Sequence, residues 1–304
     1  MNFNEIIQLF QAEMLAKGIT PPTEIVIDAQ LHRFHVDGDK RSSKNGWYII
    51  FNDDIPCGVF GSWRIGGTHV WCVKNQQLMN GLELLAFRKQ VEQARIKRDQ
   101  DRKIQHEKAS ILAERLWYLA CAAHPNHPYL VQKLIRPFYA RQRGDDLILP
   151  IIDFFGNFRS LQFISPDMSK NKWFLPNGSI KGHFIPIQGR PGDGTKILIC
   201  EGFSTGATLA QDYPNYCVIA ACDAGNLKSV ATIIRHNLPK AEIIICADDD
   251  RLNSINIGLV KAREASIATG SLMFKPKWPD DAPNDLTDFN DLACWVSRRG
   301  DLHV

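Results

Sequence analysis

No stretch of about 18 apolar residues occurs in the chain, so no membrane-spanning helix is expected. There is no Cys-x-x-Cys pair either: the eight cysteines stand at 57, 72, 121, 200, 217, 222, 246 and 294. Cys200, Cys217, Cys222 and Cys246 lie in or beside apolar runs and read as small buried hydrophobes of a reducing compartment, not as a disulfide framework. The absence of Gly-x-x-x-x-Gly-Lys-Ser/Thr excludes a fused P-loop motor. The first residues, MNFNEIIQLFQAEM, lack a basic start followed by an apolar run and do not read as a secretory signal; a cytoplasmic location is expected. Strong charge is missing too, since a net charge of +3 and a pI near 8.4 do not by themselves indicate nucleic acid. What is present is the composition of a soluble globular protein, 44% hydrophobic and 23% charged over 304 residues, enough for roughly two or three domains.

The order of patterns divides the chain. Residues 1–76 read as a short helix, stopped by Gly18 and Pro21-Pro22, followed by a β-rich module. The runs Glu24–Ile27, Trp47–Phe51, Gly58–Trp63 and His69–Val73 are separated there by turn signals such as Asp37-Gly38-Asp39, Asn45-Gly46 and Gly66-Gly67. Residues 77–124 are a long charged helical segment, an exposed arm or one side of a hairpin, ended by the prolines of His124-Pro125-Asn126-His127-Pro128. Residues 125–192 alternate short strands with turns. Residues 193–304 alternate apolar strands with helices: strands at Ile197–Cys200, Cys217–Cys222, Glu242–Ala247 and Ser271–Phe274, with helices over 204–212, 226–237 and 256–269. That alternation predicts an α/β fold with a parallel sheet flanked by helices.

Ligands of such sheets bind beyond the carboxyl ends of the strands. Two of the strands end in acid, one in Glu201-Gly202 and one in Asp248-Asp249-Asp250. Asp248 and Asp250, at i and i+2, point to the same side of extended backbone. Carboxylates gathered there repel one another unless a cation neutralises them, and hard oxygen ligands suit Mg²⁺ or Mn²⁺. The plainer alternative is that Glu201 caps a helix and the aspartates make a polar turn. The Glu-Gly on a neighbouring strand of the same unit favours the metal site.

Ile197-Leu-Ile-Cys-Glu201-Gly202 followed by Ile243-Ile-Ile-Cys-Ala-Asp248-Asp249-Asp250 resembles the Toprim domain shared by primases, topoisomerases and some nucleases. Pro128-Tyr129-Leu130-Val131-Gln132-Lys133, Ser160–Ile164, Lys172–Leu175, Lys181-Gly182 and Asp288–Leu292 resemble the plasmid- and phage-borne primases. The resemblance covers about residues 125–293, making residues 125–192 the basic subdomain of a primase core and 193–304 its Toprim domain. Residues 28–73 are similar to a module found upstream in mobile-element primases, and no role is assigned to it. The resemblance implies Glu201, Asp248 and Asp250 as catalytic metal ligands, with Glu201 assisting proton transfer and Asp288 in a later acidic motif. The pattern departs from the cellular primases where Thr205 and Asn290 replace acids, which leaves the number of bound metals open.

Residues 130–190 carry Lys133, Arg136, Arg141, Arg143, Arg159, Lys170, Lys172, Lys181 and Arg190 against few acids, a local excess suited to phosphate contacts. Lys133, Lys172 and Lys181 match basic positions of the primase core, and Arg141 and Arg143 join them as candidates for nucleotide or DNA binding. In the first module, Phe34, Trp47, Tyr48, Phe51, Trp63 and Trp71 lie among Arg33, Lys40, Arg41, Lys44 and Arg64. Trp63 and Trp71 are candidates for stacking on bases, whereas Trp47, Tyr48 and Phe51 read as core. His32-x-x-His35 and His69-x-x-Cys72 do not make a zinc site on strands, where i and i+3 face opposite sides, so zinc is not expected.

The expectation is a DNA primase of a mobile element. It would use single-stranded DNA as template, ribonucleoside triphosphates as substrates and two divalent ions for nucleotidyl transfer, with a replicative helicase as a candidate partner and no membrane. The rivals are a Toprim nuclease using the same carboxylates and a single-strand-binding accessory protein of replication or transfer.

Overall fold

The structure, a computed structural model, describes residues 2–39, 43–53, 55–167 and 172–300. Lys40, Arg41 and Lys170 therefore lie outside the described residues. Two compact units divide the chain, residues 1–104 and 105–304.

In the first unit, α1 (Phe3–Ala16) starts from a capping box. The Asn2 side chain accepts from Glu5 N at 2.9 Å, and the Glu5 carboxylate accepts from Asn2 N at 2.9 Å. Ile6, Phe10 and Met14, four residues apart, form its buried stripe. The stripe covers one face of an antiparallel meander, β1 (His32–Phe34), β2 (Gly46–Phe51), β3 (Cys57–Ser62) and β4 (Gly66–Cys72). Because side chains alternate along a strand, Tyr48, Ile50, Phe60 and Trp71 meet α1. Trp47, Ile49, Phe51, Cys57 and Val59 face the other way, onto Phe87 and Ala94. Both faces are covered, so the middle strands are buried throughout.

Two expectations are corrected here. Glu24–Ile27 forms no strand; it follows Pro21-Pro22, and Val26 N donates to the Tyr48 hydroxyl at 2.9 Å instead of to a neighbouring strand. Trp71 offers no free face for base stacking: it is 8% exposed and meets Phe10 edge-on with ring centroids 5.3 Å apart. Trp63 is half-buried, packed on Trp47 at 5.7 Å and under the Arg102 guanidinium at 5.5 Å.

Helix α2 (Gly81–Leu119) is one unbroken run of 39 residues. It is neither half of a hairpin nor a bare arm, because Phe87 and Ala94 are core residues of the first unit and Ala109, Ala113 and Trp117 of the second. In the second unit the first sheet is antiparallel, in the order β5 (Cys121–Ala122), β6 (Arg141–Arg143), β7 (Asp146–Ile152), β8 (Phe158–Ile164), β9 (Trp173–Phe174), with the short helix α3 (Pro128–Lys133) between β5 and β6. Ile148, Leu161 and Phe163 pack on the end of α2; Leu147, Leu149 and Ile151 face the other core of this unit.

The second sheet is made of β10 (Ile185–Gln188), β11 (Lys196–Cys200), β12 (Cys217–Ala220), β13 (Glu242–Cys246) and β14 (Leu272–Phe274), in the order β10-β12-β11-β13-β14. The last four are parallel and β10 is an antiparallel edge. The crossovers are α4 (Phe203–Asp212), α5 (Leu227–Asn237) and α6 (Ile257–Thr269), and α7 (Phe289–Gly300) ends the fold. Ile197, Ile199, Ile219, Ile243 and Ile245 face α5 and α6, while Leu198, Cys200, Val218, Ala220 and Ile244 face α4. Helices on both faces of a mostly parallel sheet are the α/β arrangement that the strand–helix alternation predicts. Neither β10 nor α7 was anticipated. Among the described residues, no helix is long and apolar enough to cross a membrane.

Candidate functional site

Three neighbouring parallel strands end level with one another: Cys200 of β11 is in register with Ala220 of β12 and with Cys246 of β13. The apolar runs stop where the ladder stops, and the chain leaves through Glu201-Gly202, Ala221-Cys222-Asp223 and Ala247-Asp248-Asp249-Asp250. This is the sheet edge at which parallel α/β folds bind ligands.

The three consecutive aspartates divide their work. Asp249 is buried and accepts from Asn256 Nδ2 at 2.8 Å, Lys275 Nζ at 2.9 Å and Trp278 Nε1 at 3.0 Å. Burial works against its charge, but these donors outweigh it and hold the carboxyl below the usual range. Asp248 and Asp250 are within electrostatic reach of each other, and both act on Glu201 or are acted on by it. The loop is held close to α6 at Gly258, where a Cβ would stand 2.7 Å from the carbonyl oxygen of Asp248.

Other elements bring further acids. Cys222 has a φ of 77°, a left-handed conformation that is costly for a residue with a Cβ, and it turns the chain into Asp223. Asp223 accepts from Asn226 N at 3.0 Å, and the backbone of Ala224 is among the groups that favour the charged Glu201 carboxylate. Asp288 caps α7, accepting from Asp291 N at 2.7 Å, and the Thr205 side chain is among the groups that favour its charged form. Asp291 accepts from Thr287 N at 3.1 Å and from Lys133 Nζ at 3.2 Å. Asn290 is buried and donates to the Lys133 carbonyl at 2.7 Å and to Thr208 Oγ1 at 2.9 Å, joining α7 to α3 and α4.

The electrostatic result is a crowded anionic pocket. Burial, then the charges of Asp288, Glu201, Asp250 and Asp291, push the Asp248 carboxyl up to about 8. Burial, then Asp223 and Asp250, raise Glu201, with Lys172 acting the other way. Burial and then Asp291 raise Asp288. Asp248 Oδ1 is buried with no hydrogen-bond partner among the described residues. Among the described residues, no three His, Cys, Asp or Glu side chains close around a common ion position. The donor set is nonetheless all oxygen, mutually repelling and short of counter-charge, which is the chemistry a hard divalent cation satisfies.

The expected basic residues have different fates. Lys133 is half-buried on Asp291; burial works to lower its ammonium, but Asp291 and Asp288 outweigh it and hold it above its ordinary range. Lys172 is exposed, acts on Glu201, and has its Nζ 5.6 Å from the centroid of the Tyr129 ring. Lys181 is exposed on the loop before β10, next to Gly182, whose N–H donates to Asn226 Oδ1 at 2.7 Å. Arg143 is exposed at the end of β6. Arg141 is spent elsewhere: it donates to the carbonyls of Trp117 and Ala120 at 3.0 and 3.3 Å, closing the end of α2, with its guanidinium 4.8 Å from the Trp117 ring. Sequence reasoning missed Asp223, Asp291 and Asn226. For Asp223 the signal was present, because it too follows an apolar strand.

Residues 196–298 match the family model described as Toprim domain. Two curated proteins of Escherichia coli, each named DNA primase TraC, are 28% identical over 269 residues and 27% identical over 278 residues. The matches cover 85% and 88% of this chain but 25% and 19% of those relatives, so the chain spans about a quarter of their length or less. Among solved structures, the DnaG primase catalytic domain bound to ssDNA aligns over 66% of this chain and 78% of its own, with 12% identity and a TM-score of 0.45. The primase fragment of the bacteriophage T7 primase-helicase protein aligns over 54% and 64%, with 18% identity and a TM-score of 0.40. The family resemblance carried by the strand-end motifs is borne out by the domain match and by the two curated relatives.

Proposed function

We propose that this Toprim-domain protein is a DNA primase of the mobile-element type, which copies single-stranded DNA into short RNA primers. The observation that carries the reading is the convergence of Glu201, Asp248 and Asp250 on one sheet edge, with Lys172 beside Glu201 and Lys133 beside Asp288 and Asp291. Glu201, Asp248 and Asp250 would hold a divalent cation, with Asp288 next to them. The orphaned Asp248 Oδ1 and the all-oxygen donor set fit Mg²⁺ or Mn²⁺. Bound there, the cation would polarise phosphate oxygens and neutralise their charge.

The chain's own residues supply the rest. Lys172, Lys133 and Lys181 receive phosphates of the ribonucleoside triphosphate and of the template, as point charges that hold position without reading sequence. Glu201, whose carboxyl is raised by burial and by Asp223 and Asp250, would assist by taking the proton from the primer 3′-hydroxyl. That oxygen attacks the α-phosphorus in line, the new phosphodiester forms, and pyrophosphate leaves. A replicative helicase and a cytoplasmic location go with this reading.

Single-stranded DNA, ribonucleotides and Mg²⁺ or Mn²⁺ should yield short RNA products, and Asp248→Asn should abolish them. A parallel reaction without nucleotides checks for cleavage. Metal-dependent loss of DNA in that lane, with no RNA in the other, would assign the same carboxylates to a nuclease.

A further inference from the structure

Tyr129 stands apart among the polar groups of this site. It is 2% exposed, and its hydroxyl is wholly buried without a hydrogen-bond partner among the described residues. Leaving such a group unsatisfied costs stability, so folded proteins seldom keep one without a use for it. Phenylalanine would fill the same space at no such cost. The groups around the Tyr129 ring suggest what its hydroxyl could bind. Lys172 Nζ lies 5.6 Å from the ring centroid, and Tyr129 is among the groups acting on Lys133, one turn along α3. A Cβ added at Gly202 would stand 4.0 Å from Lys172 Nζ, and α4 starts at Gly202 without a side chain to cap it. Two ammonium groups (Lys133 keeping N–H bonds beyond the one to Asp291), the uncapped N-terminus of a ten-residue helix and a buried O–H all offer donors. A ligand rich in acceptors and negatively charged suits them. A phosphate is both.

We propose that the Tyr129 hydroxyl is a phosphate-anchoring donor, completing with Lys133 and Lys172 a subsite for the phosphate chain of a nucleoside triphosphate beside the carboxylates. The assignment rests on the nucleotidyl-transfer reading and names how its substrate is held. Lys172, exposed and with four rotatable side-chain bonds, has its ammonium over this ring. In this proposal the ammonium moves onto a phosphate and the ligand gains access to the hydroxyl. Tyr129 here is a positioning residue, since it orients the phosphates and takes no part in bond making.

The test is Tyr129→Phe in the full chain, titrated calorimetrically in the presence of Mg²⁺ with inorganic tripolyphosphate, ATP and a single-stranded oligonucleotide, beside a thermal melt. The expected result is tripolyphosphate and ATP binding weakened about tenfold or more, unchanged oligonucleotide binding, and a melting temperature equal to or above that of the wild type. Weakened oligonucleotide binding with unchanged ATP binding would assign the same phosphate chemistry to the template and overturn the nucleotide assignment. Unchanged binding of all three ligands overturns the proposal, and so does a lowered melting temperature, which would mean the hydroxyl serves the fold. A wild type that binds tripolyphosphate but makes no primer defeats the primase reading and leaves this subsite standing. A wild type that binds neither tripolyphosphate nor ATP defeats the subsite.

Discussion

Asp248→Asn should make the metal-free protein more stable at pH 8 while destroying its activity. In the fold the Asp248 carboxyl is pushed up to about 8 from an ordinary value of 3.8, by burial first and then by Asp288, Glu201, Asp250 and Asp291. A carboxyl whose folded value is raised holds its proton more tightly folded than unfolded. Its effect is therefore absent below the unfolded value, and stability falls as pH rises from about 4 to about 8. At about 1.36 kcal/mol per unit, a shift of roughly 4 units sets an upper bound near 5–6 kcal/mol. Relaxation of neighbouring side chains and entry of water reduce the realised penalty, and we expect a gain of at least about 2 kcal/mol for the amide at pH 8. At pH 4 the two proteins should be nearly equal. The assay is urea unfolding in EDTA at several pH values, repeated with Mg²⁺. Added Mg²⁺ should stabilise the wild type by mass action and leave the variant unmoved. A variant that is less stable than wild type at pH 8 in EDTA, or that gains as much from Mg²⁺, would refute the claim that these acids form an uncompensated cation site.

Two further substitutions probe how the site is supported. Gly258→Ala places a Cβ 2.7 Å from the Asp248 carbonyl oxygen; we expect about 1–3 kcal/mol of destabilisation and weaker Mg²⁺ binding by calorimetry, because the aspartate loop must move. Asn226→Ala removes a buried amide that donates to the carbonyls of Ile180, His183 and Ala221 at 3.0, 3.0 and 2.8 Å and accepts from Gly182 N at 2.7 Å. It should cost about 2–4 kcal/mol in urea unfolding and speed hydrogen exchange at residues 180–183, the loop that carries Lys181.

The parallel strands were legible because each is an unbroken apolar run bounded by turn residues, and Glu201 and Asp248 because they interrupt those runs at one end. Asp249 was separable from its neighbours by alternation alone. Long-range pairings were not legible. Lys133 and Asp291 are 158 positions apart and meet only because α3 and α7 converge. Asn290 reads as a lost acid in a motif, yet its amide ties α7 to α3 and α4, something a carboxylate could not do toward a carbonyl oxygen. Arg141 counted among the basic residues, but the open carbonyls at the end of α2 claimed its guanidinium. Glu24–Ile27 has the composition of a strand, and a tyrosine hydroxyl took the N–H that a strand partner would have used. In each of these cases a tertiary contact overrode a local signal.

The antiparallel strand β10 bears on where this polypeptide can be cut. It pairs with β12 through Ile185–Ala220, Pro186–Ile219 and Gln188–Val218, and Ile185 and Ile187 pack in the core with Val218, Ala220 and Cys200. The family match begins at residue 196, after that strand has ended. A truncated chain starting there would leave β12 as an open, apolar outer strand with unpaired N–H and C=O groups, a template for self-association. A truncation meant to keep the outer edge of β12 covered therefore has to begin upstream of β10.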